Sequence, residues 1–107
     1  MPWYVYLAYF FAGVFLANGI PHFVQGISGN KFQSPFAAPP GRGESSAAVN
    51  VVWGWLNFVI GGGLVVYLFP PLPPPFGLCI AFAIGALAMA LPLASRFGTV
   101  RDSAPQP

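Results

Sequence analysis

The chain has 107 residues, of which 56% are hydrophobic and 6% charged. A soluble domain carries roughly 25% charged residues, so four basic and two acidic side chains leave too little to make a water-facing surface, and a soluble fold is not expected. The formal charge of +2 is too small and too scattered for a nucleic-acid footprint, and no basic patch is interleaved with stacking aromatics.

The first apolar run, Trp3 to Val24, reads WYVYLAYFFAGVFLANGIPHFV and carries no charge. It exceeds the roughly 18 residues at which a membrane-spanning helix becomes the default reading. With no basic region before it and an apolar stretch longer than a signal peptide uses, it is expected to stay in the mature protein. Gly19 and Pro21 predict a break near its end, because Pro21 deletes the hydrogen bond to the Ala17 carbonyl and Gly19 relaxes the helix beside it. A carbonyl freed in lipid needs a new partner. Asn18 and His22 are four apart and share a face. His22 falls about 28 Å along from Trp3, close to the boundary of a ~30 Å hydrocarbon slab.

The first connection, residues 25–46, is QGISGNKFQSPFAAPPGRGESS. Its density of Gly, Ser and Pro predicts a loop without regular structure. Ile27, Phe32 and Phe36 are expected to dip back into the membrane interface. Ser45 or Ser46 should cap the next helix, with Glu44 favourably near that positive end.

The second run, residues 47–69, is AAVNVVWGWLNFVIGGGLVVYLF. Asn50, Gly54, Asn57 and Gly61 fall within one narrow arc of a helix. Small residues on such an arc let backbones approach, and asparagines hydrogen-bond across the contact. Val52, Trp55, Val59 and Val66 form the opposite, lipid-facing arc. Asn18, His22 and Asn50 should share one leaflet. The triplet Gly61, Gly62, Gly63 is compatible with a bend or with close packing.

The second connection, PPLPPP at residues 70–75, reads as a short stiff polyproline strut. The third run, residues 76–93, is FGLCIAFAIGALAMALPL; its row of Gly77, Ala81, Gly85 and Ala88 is a second packing face. Cys79 reads as a buried small apolar residue. The tail, residues 95–107, is expected to be short and poorly ordered.

The reading is therefore an all-α membrane protein, one domain of three transmembrane helices, with a long loop on one side and a short proline-rich loop on the other. Lys31, Arg42, Arg96 and Arg101 all fall on the side of the long loop and the C-terminus. That side is expected in the cytoplasm and the N-terminus outside.

Three roles are open to the cluster of Asn18, His22, Asn50 and Asn57. The first is internal glue between spans one and two, which also satisfies the carbonyl freed at Pro21. The second is a polar pocket for an anion or lipid headgroup, with His22, Lys31 and Arg42 around it. The third, metal or haem ligation, would need symmetric pairing of protomers because the chain has one histidine; no metal or other cofactor is expected.

The series N-G-I-P-H-F, G-I-S-G, P-F, P-P-G-x-G, S-S, N and W-G, from Asn18 to Gly54, resembles a group of small bacterial inner-membrane proteins of unknown function. The resemblance covers about a third of the chain. It implies a bacterial multi-span protein in which the break and the loop form one unit, and it carries no activity across.

No catalytic residues are expected. Glu44 and Asp102 are the only acids, and Cys79 should lie at the opposite face of the bilayer from His22, too far for acid–base work. The leading expectation is a non-enzymatic accessory or organising subunit. Its partners would be membrane lipids and a larger membrane complex or copies of itself, with no nucleic acid. The alternative is a homo-oligomeric channel or transporter for a small solute or anion, with Asn18, Asn50 and Asn57 along the path and the break at Pro21 as its discontinuous helix.

Overall fold

The computed structural model describes residues 2–40, 42–67 and 74–102. Helix α1 runs Trp3–Ile27, α2 Ala47–Tyr67 and α3 Phe76–Asp102, with two-residue strands β1 (Phe32–Gln33) and β2 (Glu44–Ser45) between α1 and α2. All three helices are long and apolar enough to cross a membrane, and the chain is a multi-pass membrane protein on that criterion. The second connection up to residue 73, the last two residues expected of span two and residues 103–107 lie outside the described residues.

The break expected at Gly19-Pro21 is not there: α1 continues through Pro21 to Ile27. Pro21 removes one backbone bond, but Gly19, His22 and Gly26 on either side of it are all buried. Packing on both flanks holds the backbone helical across that loss. The helix ends three residues later than expected, on a Schellman turn. The Asn30 amide donates to the Gln25 carbonyl and the Gly29 amide to the Gly26 carbonyl. Gly29 has φ +79°, a left-handed backbone that glycine adopts without penalty.

The long loop is also more regular than its composition predicts. Phe32 pairs with Ser45 and Gln33 with Glu44 in an antiparallel ladder, which brings the two ends of the loop together. Phe32 is buried, whereas Ile27 and Phe36 are exposed. Of the two serines considered as caps, Ser46 caps α2, its Oγ accepting the Val49 amide at 3.2 Å.

Helix α1 is the middle element, because both other helices pack on it and the closest approaches are at glycines. On α2, Asn50, Gly54, Asn57 and Gly61 are the buried residues, as the arc predicts, while Val52, Trp55, Val59 and Val66 are exposed. A Cβ on Gly54 would sit 2.8 Å from the Gly19 carbonyl oxygen, and one on Gly19 would sit 2.9 Å from the Gly54 carbonyl oxygen. Gly19 is thus a contact glycine rather than a helix-relaxing one. Gly26 meets the Ala47 carbonyl in the same way at 2.7 Å.

On α3, Gly77 faces the Tyr6 ring and Gly85 abuts the Phe10 carbonyl. Ala81 packs on the cluster of Val5, Tyr9 and Leu78. Ala88 does not continue that face, and Cys79 is exposed rather than buried. Gly13 of α1 completes the contact against the backbone of Phe82 and Ala86. Gly62 and Gly63 remain helical, with open space where a Cβ would stand, so close packing accounts for Gly61 alone.

The segment expected as a disordered tail is helical to Asp102. Leu93, Phe97 and Val100 share one face. Phe97 packs on Phe32 with the rings tilted and their centroids 4.7 Å apart, and Val100 is buried. Those contacts hold the last two turns of α3 against the loop.

Replacing Gly85 by leucine is expected to destabilise the folded chain by about 2 kcal/mol or more, since the Phe10 backbone cannot yield as a side chain can. Leucine at Gly63 should change stability by less than about 1 kcal/mol, the cost or gain of helix propensity alone. Denaturant titration of both variants in mild detergent measures the contrast.

Candidate functional site

The polar groups of the spans meet at the loop end of the bundle, in two rungs between α1 and α2. In the deeper rung, Asn18 Nδ2 donates to Asn57 Oδ1 at 3.0 Å, and Asn57 Nδ2 donates back along its own helix to the Trp53 carbonyl at 2.8 Å. In the outer rung, His22 Nδ1 lies 2.9 Å from Asn50 Oδ1. The amide nitrogen of Asn50 faces three carbonyls, those of Phe32 at 3.1 Å, Ser45 at 3.2 Å and Ser46 at 3.1 Å. An amide nitrogen only donates, so this triad fixes the carboxamide with its oxygen towards the imidazole. His22 Nδ1 therefore carries the proton and donates.

Burial makes these bonds matter. Asn50 is 0% exposed, Asn57 1% and His22 3%. Polar contacts in a membrane contribute on the order of 0.6–2 kcal/mol each, and a buried group left unpaired costs about 1–3 kcal/mol. The rungs give each of the three a partner. They do not go to the Ala17 carbonyl, as the expected break would have required. The donors are taken by Asn57, by the Trp53 carbonyl and by the loop.

The imidazole is also an aromatic hub. Phe32, Trp53 and Phe97 present their rings edge to face with it, at centroid distances of 5.5, 6.5 and 6.1 Å. One side chain of α1 thus touches β1, α2 and α3. Ser34 adds a polar latch to the loop, its Oγ 2.6 Å from Ser45 Oγ and accepting the Phe36 amide at 3.1 Å.

Two cavities flank this hub. The smaller, about 220 Å³, is lined by Asn18, His22, Gln33, Trp53, Arg96 and Phe97 among others. The larger, about 790 Å³, includes Gln25, Lys31, Gln33, Arg42, Phe97 and Arg101, with Glu44 the acid on its wall. Sequence reasoning grouped His22 with Lys31 and Arg42 in one pocket. The fold divides that set: His22 lines the smaller cavity and the two cations the larger, with Gln33 and Phe97 as the shared wall.

Trp53, Arg96 and Gln33 are not among the candidate site residues read from the sequence, where Arg96 enters only through the orientation of the chain. Trp53 is legible in retrospect, one turn from both Asn50 and Asn57 on the same helix. Arg96 is not, because its position depends on α3 continuing past the apolar run. Among the described residues no three His, Cys, Asp or Glu side chains come together as a metal site. Cys79 opens α3 at the end remote from Phe97, the residue of that helix that packs on His22. The small-residue faces, Gly54, Gly61, Gly77, Ala81 and Gly85, all serve contacts of α1 with its two neighbours.

Compared with protein-family models, with curated proteins and with solved structures, the chain matches none.

Asn50→Leu keeps the branched shape but strands the His22 N–H and the loop carbonyls, and is expected to lower stability by on the order of 2–3 kcal/mol. Asn57→Leu should cost about 1 kcal/mol, since Asn18 is only half-buried and can turn to another partner. A double-mutant cycle of His22→Leu with Asn50→Leu, followed by detergent-phase unfolding, should return a coupling of about 1 kcal/mol. Zero coupling would mean that the 2.9 Å contact does not hold the hairpin together.

Proposed function

We propose that this chain is a small non-catalytic subunit of a membrane assembly, packing side-on against a larger complex or against further copies of itself. We place it in the cytoplasmic membrane of a bacterium, with the loop end inside. The four basic residues Lys31, Arg42, Arg96 and Arg101 all stand at that end, where the positive-inside tendency retains them.

The observation that carries this reading is the self-sufficiency of the polar core. Asn18 pairs with Asn57 and His22 with Asn50 inside one protomer. A path for solutes built from several copies would need those amides turned towards a shared axis. Here they face each other, and Asn50 and Asn57 are essentially inaccessible.

What the helices present outward is apolar and bulky. Trp55 is 54% exposed, Val66 69% and Leu91 62%. With α1 in the middle, both α2 and α3 keep a long side free for lipid or for a neighbouring helix. Such faces suit lateral association, in which close van der Waals packing supplies the attraction.

Mild detergent extraction from the native host, followed by size separation and identification of what travels with the chain, tests this. The expected result is a stable assembly larger than one chain. Recovery solely as a free monomer would count against it. Solute flux through reconstituted vesicles that falls with Asn57→Leu would favour a pore and overturn the subunit reading.

A further inference from the structure

We propose that the loop end of this protein is a binding site for one anionic phospholipid. Its phosphate would be held at Arg96 beside the indole of Trp53, and an acyl chain would lie in the apolar trough along the outer side of α2.

Three observations converge. The first is charge. Every lysine and arginine of the chain lines one of the two cavities that share Gln33 and Phe97 as a wall: Arg96 the smaller, and Lys31, Arg42 and Arg101 the larger. Glu44 is the one carboxylate in the lining of the larger cavity, and Asp102 follows Arg101 on α3. A cationic pocket at a membrane boundary collects anionic headgroups, and a guanidinium offers two parallel donors to a phosphate.

The second is an unmet donor. Trp53 Nε1 is buried without a hydrogen-bond partner, in a structure whose other buried spanning polar groups, His22, Asn50 and Asn57, are all bonded. An indole N–H can only donate, and Trp53 lines the smaller cavity with Arg96, so a turn of the buried ring would offer that donor to an acceptor there such as a phosphate oxygen. The polar side chains of Asn18 and Gln33 line the same cavity.

The third distinguishes a lipid from a free anion. Trp53 also lines a separate cavity of about 390 Å³, bounded otherwise by Phe36, Ala48, Val49, Val52 and Leu56. This trough is wholly apolar in its residues, and Phe36 closes one end of it against Trp53, with ring centroids 5.0 Å apart. From Ala48 to Leu56 it runs about 12 Å along the helix, away from the loop and into the hydrocarbon. A phosphate at Arg96 therefore has an apolar channel on the other side of one indole ring. That juxtaposition matches the two parts of a phospholipid and has no use for inorganic phosphate. The site is independent of whether the chain associates with a larger complex.

Native mass spectrometry of the intact chain, released from micelles holding equal amounts of phosphatidylglycerol and phosphatidylcholine, tests the proposal. The expected result is one phosphatidylglycerol retained in preference to phosphatidylcholine. Arg96→Gln should weaken retention about fivefold, the effect of one basic residue near an anionic headgroup, and Arg96→Lys less. Trp53→Phe keeps one aromatic ring between His22 and Phe36 but removes the pyrrole ring with its N–H, so retention should fall while the chain stays folded, which a thermal melt of the lipid-free variant checks. Inorganic phosphate added in excess should leave the lipid in place. Equal retention of the two lipids, retention unchanged in both Arg96→Gln and Trp53→Phe, or displacement by inorganic phosphate would each overturn it.

Discussion

The hydrogen bond from His22 to Asn50 is the constraint on which the loop end depends. It is made where water is scarce, so neither partner can exchange it for solvent without a penalty of the kind buried polar groups incur. The same asparagine holds the carbonyls of Phe32, Ser45 and Ser46. A single carboxamide therefore ties α1, the start of β1, the end of β2 and the first turn of α2 to one point. The loop can pair Phe32 with Ser45 because both are hung from that point. In turn, the pairing gives Phe97 of α3 a surface to pack on.

The rest of the bundle follows from backbone approach rather than from a broad side-chain core. The buried apolar residues of the spans are few and scattered along α1, with Leu78 the main contribution of α3. In lipid there is no hydrophobic effect to collect large side chains in the interior, and contact must come from close van der Waals fit. Glycines supply it on both sides of α1. Gly19 and Gly54 face each other's carbonyls on one side, and Gly13 and Gly85 lie against opposing backbone on the other. The large residues are left for the exterior, which is why Trp3, Phe76 and Tyr67 are exposed without being anomalous.

These two features divide the molecule by function. The glycine contacts make a rigid three-helix body with an apolar surface suited to lipid or a neighbouring helix. The loop end concentrates charge, polar side chains and cavities around the hub. The hub's hydrogen bonds occupy His22 Nδ1 and the carboxamide of Asn50, and those atoms position the surrounding residues. Trp53 is the exception. Its ring joins the hub while its N–H stays unpaired, so a structural residue carries a recognition group.

The sequence by itself determined the three helices, the packing arc Asn50–Gly54–Asn57–Gly61 and the lipid-facing arc of α2. Those features depend on composition and on the helical repeat, and both are local. It also grouped Asn18, His22 and Asn50 in one leaflet, since depth in a bilayer follows from residue count, but not in the two rungs into which they fall. Tertiary structure decided which amide pairs with which, and whether Pro21 breaks α1, because a missing backbone bond is tolerated only where packing on both flanks holds the chain. It likewise decided that residues 95–102 are helix, as Phe97 and Val100 acquire partners only when the loop folds beneath them. Arg96 and Trp53 became neighbours of one cavity by the same route. Residues 43 positions apart come to line one cavity because α2 and α3 both pack on α1, and no local pattern encodes that.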